Sequence, residues 1–252
     1  MAKLKDIVKF LDNYLKIDEI KDSSWNGLQI EGKPVVNKVI FAENAGLDTF
    51  RKSIKEGADL IVVHHGHFWK TGNPVFVGYK KERITLLYNN SISLYAAHLP
   101  LDRHKEVGNN AQLLKLVGAK IKAGFAMEEG KNIGWIGEFE KPIAVREIEK
   151  KLNSELNTKC RSLLFGRKEI KTMAVCSGGG GYATFYEALN KGVDLYLTGD
   201  AIEVYTSAKD AQFNVIFAGH YATETLGVKA LMPILRKKFK VKTVFVDDPT
   251  GL

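Results

Sequence analysis

The stretch "NKVIFAENAGLDTFRKSIKEGADLIVVHH" (37–65) decides the fold class. Its first part, "NKVIFAENA" (37–45), and its last part, "DLIVVHH" (59–65), are apolar runs of strand length. Between them, "DTFRKSIKEG" (48–57) is typical of a helix that ends at a glycine. A strand, a helix and a second strand in this order indicate a βαβ unit.

The same alternation continues along the chain and predicts an α/β protein with mixed sheets. An N-terminal surface helix is indicated by Ile7, Phe10, Leu11 and Leu15, which recur at helical spacing and do not resemble a signal peptide. Another helix is expected to begin at Pro142 and to run to about Leu156, because proline is tolerated in a first turn. The remaining helices are predicted at 80–90, 109–118, 182–192, 203–211 and 223–239, the last of them bent or broken near Pro233. The remaining strands are predicted at 92–98, 132–140, 193–200, 214–220 and 242–248, and 171–181 is predicted as a strand that leads into a glycine loop.

Two pairs of segments indicate an internal repeat. "TFRKSIKEGADL" (49–60) and "TFYEALNKGVDL" (184–195) are identical at five positions. Downstream, "LYAAHLPLD" (94–102) matches "IFAGHYATE" (216–224): each has an apolar strand, a histidine, and a carboxylate four residues later. We therefore predict two related α/β lobes. The first comprises 1–123 plus 220–252 and carries most of the metal ligands, and the second comprises 124–219.

The composition of the chain fits an ordinary globular protein. Of its 252 residues, 45% are hydrophobic and 26% are charged. No run of 18 apolar residues is present, so no membrane span is expected. Two cysteines alone make a disulfide framework improbable and favour a reducing cytoplasm. The net charge of +8 is compatible with an anionic partner such as DNA, or with a solvated lysine-rich surface.

Histidines and carboxylates follow several predicted strands. Ligands bind at the carboxyl ends of strands in α/β sheets. Imidazole with carboxylate suits zinc, iron, manganese or cobalt, although any one histidine also fits a hydrogen-bonded structural role. Their number predicts a metal site at the strand ends, between the two lobes. The residues are His64, His65, His98, Asp102, Asp200, His220 and Glu224.

The spacing of these residues favours two ions over one. Adjacent residues of a strand point to opposite sides, so His64 and His65 are each expected to serve one ion of a pair, with a carboxylate between the ions. His220 and Glu224 share a face if the chain is helical there. His98 and Asp102 are expected in a loop, because Pro100 lies between them.

Four motifs carry a resemblance to a known family: "WNGLQIEGK" (25–33), "HHGHFWKTGNPV" (64–75), "AAHLPLD" (96–102) with "VGNNAQL" (107–113), and "AGHYATE" (218–224). Together they resemble the GTP cyclohydrolase 1 type 2 homolog family, also called Nif three-like. The resemblance implies two similar α/β domains and two divalent transition-metal ions per chain (Zn, Fe, Mn, Co or Ni). It also implies a toroidal homohexamer, a trimer of dimers, whose metal sites face an inner cavity. Carried over by motif, the metal ligands are His64, His65, Asp102, His220 and Glu224, and His98 lies beside them.

The chain departs from the family pattern at one position. Many members have a histidine in the helix after the "TG[DE]" turn, and "TGDAIEVYTSAKDA" (198–211) has none. Its role is absent here or is taken by Tyr205 or Thr206.

These features support three functional hypotheses. The first is a metal-dependent hydrolase of a nucleotide-like or other small substrate, in which His98 orients a ligand or moves a proton as a catalytic residue. The second is a DNA-binding protein without sequence preference, acting through a basic ring to which "RKKFKVK" (236–242) contributes. The third is a metal carrier or metal-sensing regulator. The glycines of "CSGGGGYATF" (176–185) fit either a phosphate-binding loop or a tight turn.

Overall fold

The computed structural model of the protein describes residues 2–252. The chain forms two compact units. The first contains the residues up to Leu101 together with Gly227–Asp248, and the second contains Asp102–Leu226 with Pro249–Leu252. The elements up to the end of the first segment are β1 (Ala2–Lys3), α1 (Leu4–Leu15), β2 (Gly27–Ile30), β3 (Val35–Val36), β4 (Lys38–Asn44), α2 (Leu47–Lys55), β5 (Leu60–His65), α3 (Tyr79–Asn89), β6 (Ser93–Ala96) and α4 (Leu99–Asp102). Those that follow are α5 (Asn109–Val117), β7 (Lys120–Glu128), β8 (Lys131–Ala144), α6 (Val145–Glu155), β9 (Arg161–Leu164), β10 (Glu169–Cys176), α7 (Gly181–Asn190), β11 (Leu195–Thr198), α8 (Tyr205–Asp210), β12 (Asn214–Phe217), α9 (His220–Phe239) and β13 (Lys242–Phe245).

The first unit is built on a five-stranded sheet of order β13-β4-β5-β6-β2. The first four of these strands are parallel, and β2 runs antiparallel at the edge. Residues Leu60 to Val63 of β5 are fully buried, as expected for a central parallel strand that is covered on both faces. Because β5 and β6 are parallel neighbours, their carboxyl ends lie side by side.

The second unit contains a six-stranded mixed sheet of order β7-β8-β10-β11-β12-β9. Strands β10, β11 and β12 are parallel, and the other three pair antiparallel. Helices α5 and α6 pack on one face of the sheet, and α7 and α8 pack on the other. Neighbouring residues of β8 show this division, since Trp135 belongs to the first apolar cluster and Ile136 to the second.

The predicted α/β class with mixed sheets is confirmed. The two compact units have different bounds from those expected. The sequence predicts a boundary at 123, whereas the second unit begins at Asp102. Helix α5 packs onto β8 in this unit, and a Cβ at Gly137 would lie only 2.5 Å from the Leu114 side chain. Both predicted repeat segments, 49–60 and 184–195, contain a helix between parallel strands, β4–α2–β5 and β10–α7–β11, which fits the predicted repeat.

Two prolines behave differently from the sequence prediction, and the helix predicted to be bent or broken near a third, Pro233, is not broken there. Pro142 lies in β8, and helix α6 begins only at Val145. The β8–β10 register is irregular between the pairs 143–170 and 138–172, so the missing N–H of Pro142 falls where the ladder is interrupted. Pro100 lies in the short helix α4 and not in a loop, since a first turn accepts proline. Helix α9 continues through Pro233.

The predicted N-terminal helix is confirmed as α1, with Ile7, Leu11 and Leu15 buried. Among residues 2–252, no helix is both long enough and apolar enough to cross a membrane.

Candidate metal centre

Three histidines meet at the strand ends of the first unit. His64 and His65 are the last residues of β5, and His98 follows β6. The ligand nitrogens of the three lie within 4.8 Å of one another. The ring of His98 lies 5.1 Å from that of His64 and 5.4 Å from that of His65. Parallel pairing of β5 and β6 therefore assembles the cluster.

The rings of His64 and His65 lie closer together than the strand pleat predicts. Their centroids are 4.6 Å apart, although the two residues are adjacent in β5. Pairing of β5 with β6 ends at Val63. His64 and His65 therefore lie beyond the part of β5 that is paired with a strand on each side. Side chains on opposite faces of a regular strand would lie farther apart. That each of the two rings serves a separate ion stays a prediction.

The Nδ1 atoms of the two β5 histidines face oxygen acceptors. His64 Nδ1 lies 2.9 Å from the carbonyl oxygen of Ala97. His65 Nδ1 lies 2.6 Å from Oε1 of Glu43 and 3.0 Å from Oδ1 of Asn44. An oxygen acceptor favours the proton on Nδ1, which places the ring lone pair on Nε2 and makes Nε2 the candidate atom for metal binding.

His98 is oriented in the same way by a buried carboxylate. Its Nδ1 donates to Oδ1 of Asp22 over 2.9 Å. Asp22 also accepts hydrogen bonds from the backbone N–H of Ser24, the side chain of Asn26 and the backbone N–H of Leu99. Burial raises the pKa of Asp22, but the hydrogen bond and charge of His98 and the bonds from Asn26 and Ser24 outweigh it and lower the pKa to about 2. Asp22 is therefore ionised at neutral pH.

The second unit contributes a histidine and two carboxylates. His220 and Glu224 lie four residues apart in the first turns of α9, with Nε2 of His220 3.1 Å from Oε2 of Glu224. The predicted shared helical face is thus confirmed. Nδ1 of His220 lies 3.0 Å from Oδ1 of Asp200. The hydrogen bond of Glu224 and, to a smaller extent, the interaction with Asp200 raise the pKa of His220 to about 9 against the opposing effect of burial.

Asp102 and Glu224 form a pair of buried carboxylates. They are 4% and 3% exposed, and oxygen atoms of the two lie within 4.8 Å of each other. Asp102 accepts hydrogen bonds from Asn109 over 2.8 Å and from Ser177 over 3.1 Å. Carboxylates this close in a buried site repel each other when both are ionised, and a cation between them would offset this repulsion. The donor set therefore fits a divalent metal ion.

The glycine-rich loop after β10 is explained by packing. A Cβ at Gly178 would overlap the carboxylate of Glu224, and the φ of Gly178 is +60°. The N–H of Gly178 donates to Thr223, and that of Gly180 donates to Thr198. Because these amides already have partners, the tight-turn interpretation is favoured over a phosphate-binding loop.

The remaining candidates lie outside the two clusters. The ring of Tyr205, at the start of α8, packs edge-on against Phe165 at 5.2 Å. Thr206 is exposed. Nδ1 of His104 accepts from backbone N–H groups two and three residues later. His67 lines a cavity of the first unit, where burial and then the positive charges of Arg83 and Lys80 lower its pKa to about 4.

Two orienting carboxylates are not predicted from the sequence. Asp22 precedes β2, outside any predicted strand end, and Glu43 lies inside β4. Each has one signal in the sequence. Asp22 lies two residues before a serine in "DSSWN" (22–26), and Glu43 interrupts the otherwise apolar "VIFAEN" (39–44).

The fold and the side-chain clusters define an α/β protein with candidate groups of histidine, aspartate and glutamate for metal binding. Comparison with known proteins identifies the family of the chain. The family model Duf34/NIF3 (NGG1p interacting factor 3) matches residues 2–250, so the chain belongs to this family. The expected family is thereby confirmed.

Individual relatives match over nearly their whole length. The GTP cyclohydrolase 1 type 2 homolog of Pyrococcus horikoshii is 49% identical over 250 residues, covering 98% of each chain. The solved structure of TTHA1606 from Thermus thermophilus is 38% identical, with a TM-score of 0.87, over 99% of this chain and 100% of that one. The protein ybgI, whose function is given as unknown, is 33% identical with a TM-score of 0.92, over 99% of this chain and 100% of its own.

Proposed function

We propose that the protein binds two divalent transition-metal ions and uses them to hydrolyse a nucleotide-like or other small substrate. The ligands of this proposal are His64, His65, Asp102, His220 and Glu224. The observation that carries it is the set of oxygen acceptors at the histidines: in each, Nδ1 faces an oxygen atom, which favours Nε2 of His64 and His65 as the metal-binding atom, while Nε2 of His220 lies 3.1 Å from Oε2 of Glu224. Zinc, iron, manganese, cobalt and nickel all suit such a set.

When bound, the metal would lower the pKa of a coordinated water to about 7. The chain would supply the groups that surround this water. Asp102 or Glu224 would be the carboxylate shared by the two ions. His98, anchored by Asp22, is the proposed catalytic residue that holds or moves a proton at Nε2. Relatives named GTP cyclohydrolase 1 type 2 homolog support a heterocyclic small molecule as the substrate class.

A screen of metal-loaded protein against phosphoesters, cyclic amides and nucleotides tests the proposal. We expect turnover that is lost on chelation. His98→Gln should lower kcat by about a hundredfold or more while the metal content stays unchanged. His104→Gln makes the same chemical change outside the clusters and should retain activity. Absence of turnover on every substrate, with full metal content, would favour the metal-carrier hypothesis instead.

Assembly is a separate prediction. The resemblance of the sequence motifs to this family implies a closed homohexamer, and closed symmetry is common among soluble oligomers. Light scattering should give about six times the 28.1 kDa chain mass. A monomer at all concentrations and salt levels would contradict both the hexamer and the toroid.

DNA binding is the alternative function, and one observation favours it. A run of basic side chains is exposed at the end of α9, namely Arg236, Lys237, Lys238 and Lys240. Two of them have contacts within the first unit, since Arg236 donates to Thr243 and Lys238 lies over the ring of Phe10. The net charge of the chain is +8, so these cations add to a field that attracts phosphates.

If these side chains bind phosphates, DNA retention should fall steeply with salt and show little sequence preference. Changing Arg236, Lys237, Lys238 and Lys240 together to Ser should weaken retention and flatten the salt dependence. Glu224→Ala should leave it intact. A gel-shift titration at low salt decides, because no retarded DNA at micromolar protein would remove this alternative.

A further inference from the structure

The first unit contains a cavity of about 370 Å³ next to its histidine cluster. This volume lies in the range of small-molecule sites. The cavity is lined by Trp25, which precedes β2, by the loop after β5 and by the start of α3. Its lining combines aromatic rings with two cations, and the guanidinium of Arg83 lies over the ring of Tyr79 at 5.1 Å.

The aromatic part consists of Trp25, Phe68, Trp69, Phe76 and Tyr79. The loop that carries Trp69 is held in place by hydrogen bonds, because Trp69 Nε1 donates to the carbonyl of Gly66 over 3.0 Å. Trp25 is 56% exposed, and Nζ of Lys70 lies over its ring, 5.1 Å from the ring centroid. Indole faces of this kind stack on flat heterocyclic rings.

Gln29 fixes the two tryptophan segments to each other. Its Oε1 accepts from the N–H of His67 over 2.8 Å, and its Nε2 donates to the carbonyl of Trp25 over 2.6 Å. The aromatic walls are therefore preformed and not dependent on a ligand.

The cationic part consists of Lys80 and Arg83 in the first turns of α3. No aspartate or glutamate lines the cavity. Among residues 2–252, Arg83 has no carboxylate within ion-pair distance, and its Nε is buried without a hydrogen-bond partner. The residue that precedes the helix, Gly78, provides no side-chain cap, so the first N–H groups and the positive end of the helix dipole add to the two cations. Together these groups suit an anion.

Trp69 connects the cavity to the candidate metal ligands. Its ring lies edge-on to His98 at 5.1 Å and 5.8 Å from the ring of His65. A ring stacked on Trp69 therefore lies beside the histidine cluster.

We propose that this cavity recognises a small molecule that joins a flat aromatic ring to a phosphate, with the ring on Trp25 and Trp69 and the phosphate at Lys80, Arg83 and the start of α3. The proposal rests on the proposed function in one respect, namely that the bound molecule is the substrate. Recognition itself requires only the residues of the first unit. The dianionic phosphate matches the two cations, and a neutral ring alone satisfies only the aromatic half.

Tryptophan fluorescence tests the proposal directly. The chain has three tryptophans, two of which line the cavity, and Trp135→Phe removes the third, which is buried in the second unit. Adenosine and guanosine monophosphate should quench the remaining signal saturably. The matching nucleosides should bind at least about tenfold more weakly, because they lack the charged hydrogen bonds. Inorganic phosphate should compete without quenching by stacking.

Lys81, the neighbour of Lys80 in α3, provides a matched control. Lys80→Gln and Arg83→Gln should each weaken monophosphate binding about tenfold or more. Lys81→Gln makes the same charge change one residue away, at an exposed position that does not line the cavity, and should have little effect. An equal loss in Lys81→Gln would indicate general charge attraction and would overturn the proposal.

Measurement on metal-free protein separates this proposal from the proposed function. Saturable binding there, with no turnover after metal loading, would retain the cavity as a binding site and refute the hydrolase. Turnover that is unaffected by Lys80→Gln and Arg83→Gln would support the hydrolase function and refute the proposal that the cavity recognises the substrate. Absence of saturable quenching up to millimolar monophosphate would also overturn the cavity proposal. This outcome is expected if a second copy of the chain covers the exposed apolar segment 75–79.

Discussion

Protein purified without a tag is expected to carry about two transition-metal ions per chain, and His65→Ala is expected to lose at least one of them. His65 presents Nε2 because Glu43 and Asn44 face its Nδ1. Removal of the ring removes a ligand, and the methyl group of alanine cannot replace it. Elemental analysis after dialysis against a weak chelator measures the loss.

Glu224→Ala should have a comparable effect through the second unit. Its carboxylate lies close to both Asp102 and His220, and it is almost fully buried. The exposed Glu203 provides the matched control, so Glu203→Ala should keep its full metal content. His65 and Glu224 belong to different units, so the two variants test one proposed ligand from each unit. Full occupancy in both variants would refute the ligand assignment.

The position of the site could be predicted because one local rule governs it. Apolar runs such as Leu60 to Val63 indicate buried strands, and residues that follow parallel strands gather at one edge of the sheet. His64, His65 and His98 are found there. The His220–Glu224 spacing also has a local meaning once the segment is helical.

The orienting carboxylates could not be predicted by this rule. Asp22 reaches His98 across 76 positions of sequence, and periodicity gives no information on which loop meets which strand end. Glu43 lies in a central strand, where a carboxylate looks like an exception to an apolar pattern until its partner His65 is known.

Edge strands escape prediction for a related reason. β7 is largely exposed, and β9 is only partly buried, so neither shows the apolar run on which the strand predictions depend. The predicted start of α6 is wrong because Pro142 is as compatible with an interrupted strand ladder as with a first helical turn. Only tertiary pairing distinguishes the two.

The second large effect is expected at Asp22, whose replacement by alanine should destabilise the metal-free protein by about 3–5 kcal/mol. The carboxylate accepts hydrogen bonds from Ser24, Asn26, His98 and Leu99, and it is 8% exposed. Its removal leaves buried donors without an acceptor. Urea unfolding in the presence of a strong chelator measures the change without a contribution from bound metal. Asp210→Ala, at an exposed position, should have little effect.

The pH dependence of this effect identifies the charge of Asp22 as its source. The pKa of Asp22 falls from 3.8 to about 2 on folding, so the folded state favours the ionised form. The resulting stabilisation, about 2 kcal/mol, is fully present above the unfolded value near pH 4 and is lost as the pH falls through about 2. Asp22→Asn keeps the shape of the side chain and removes the charge. The difference in unfolding free energy between wild type and Asp22→Asn should therefore be constant from pH 7 to pH 5 and should shrink between pH 4 and pH 3. A difference that stays constant down to pH 3 would show that the hydrogen-bonding geometry of Asp22, and not its charge, stabilises the segment around His98.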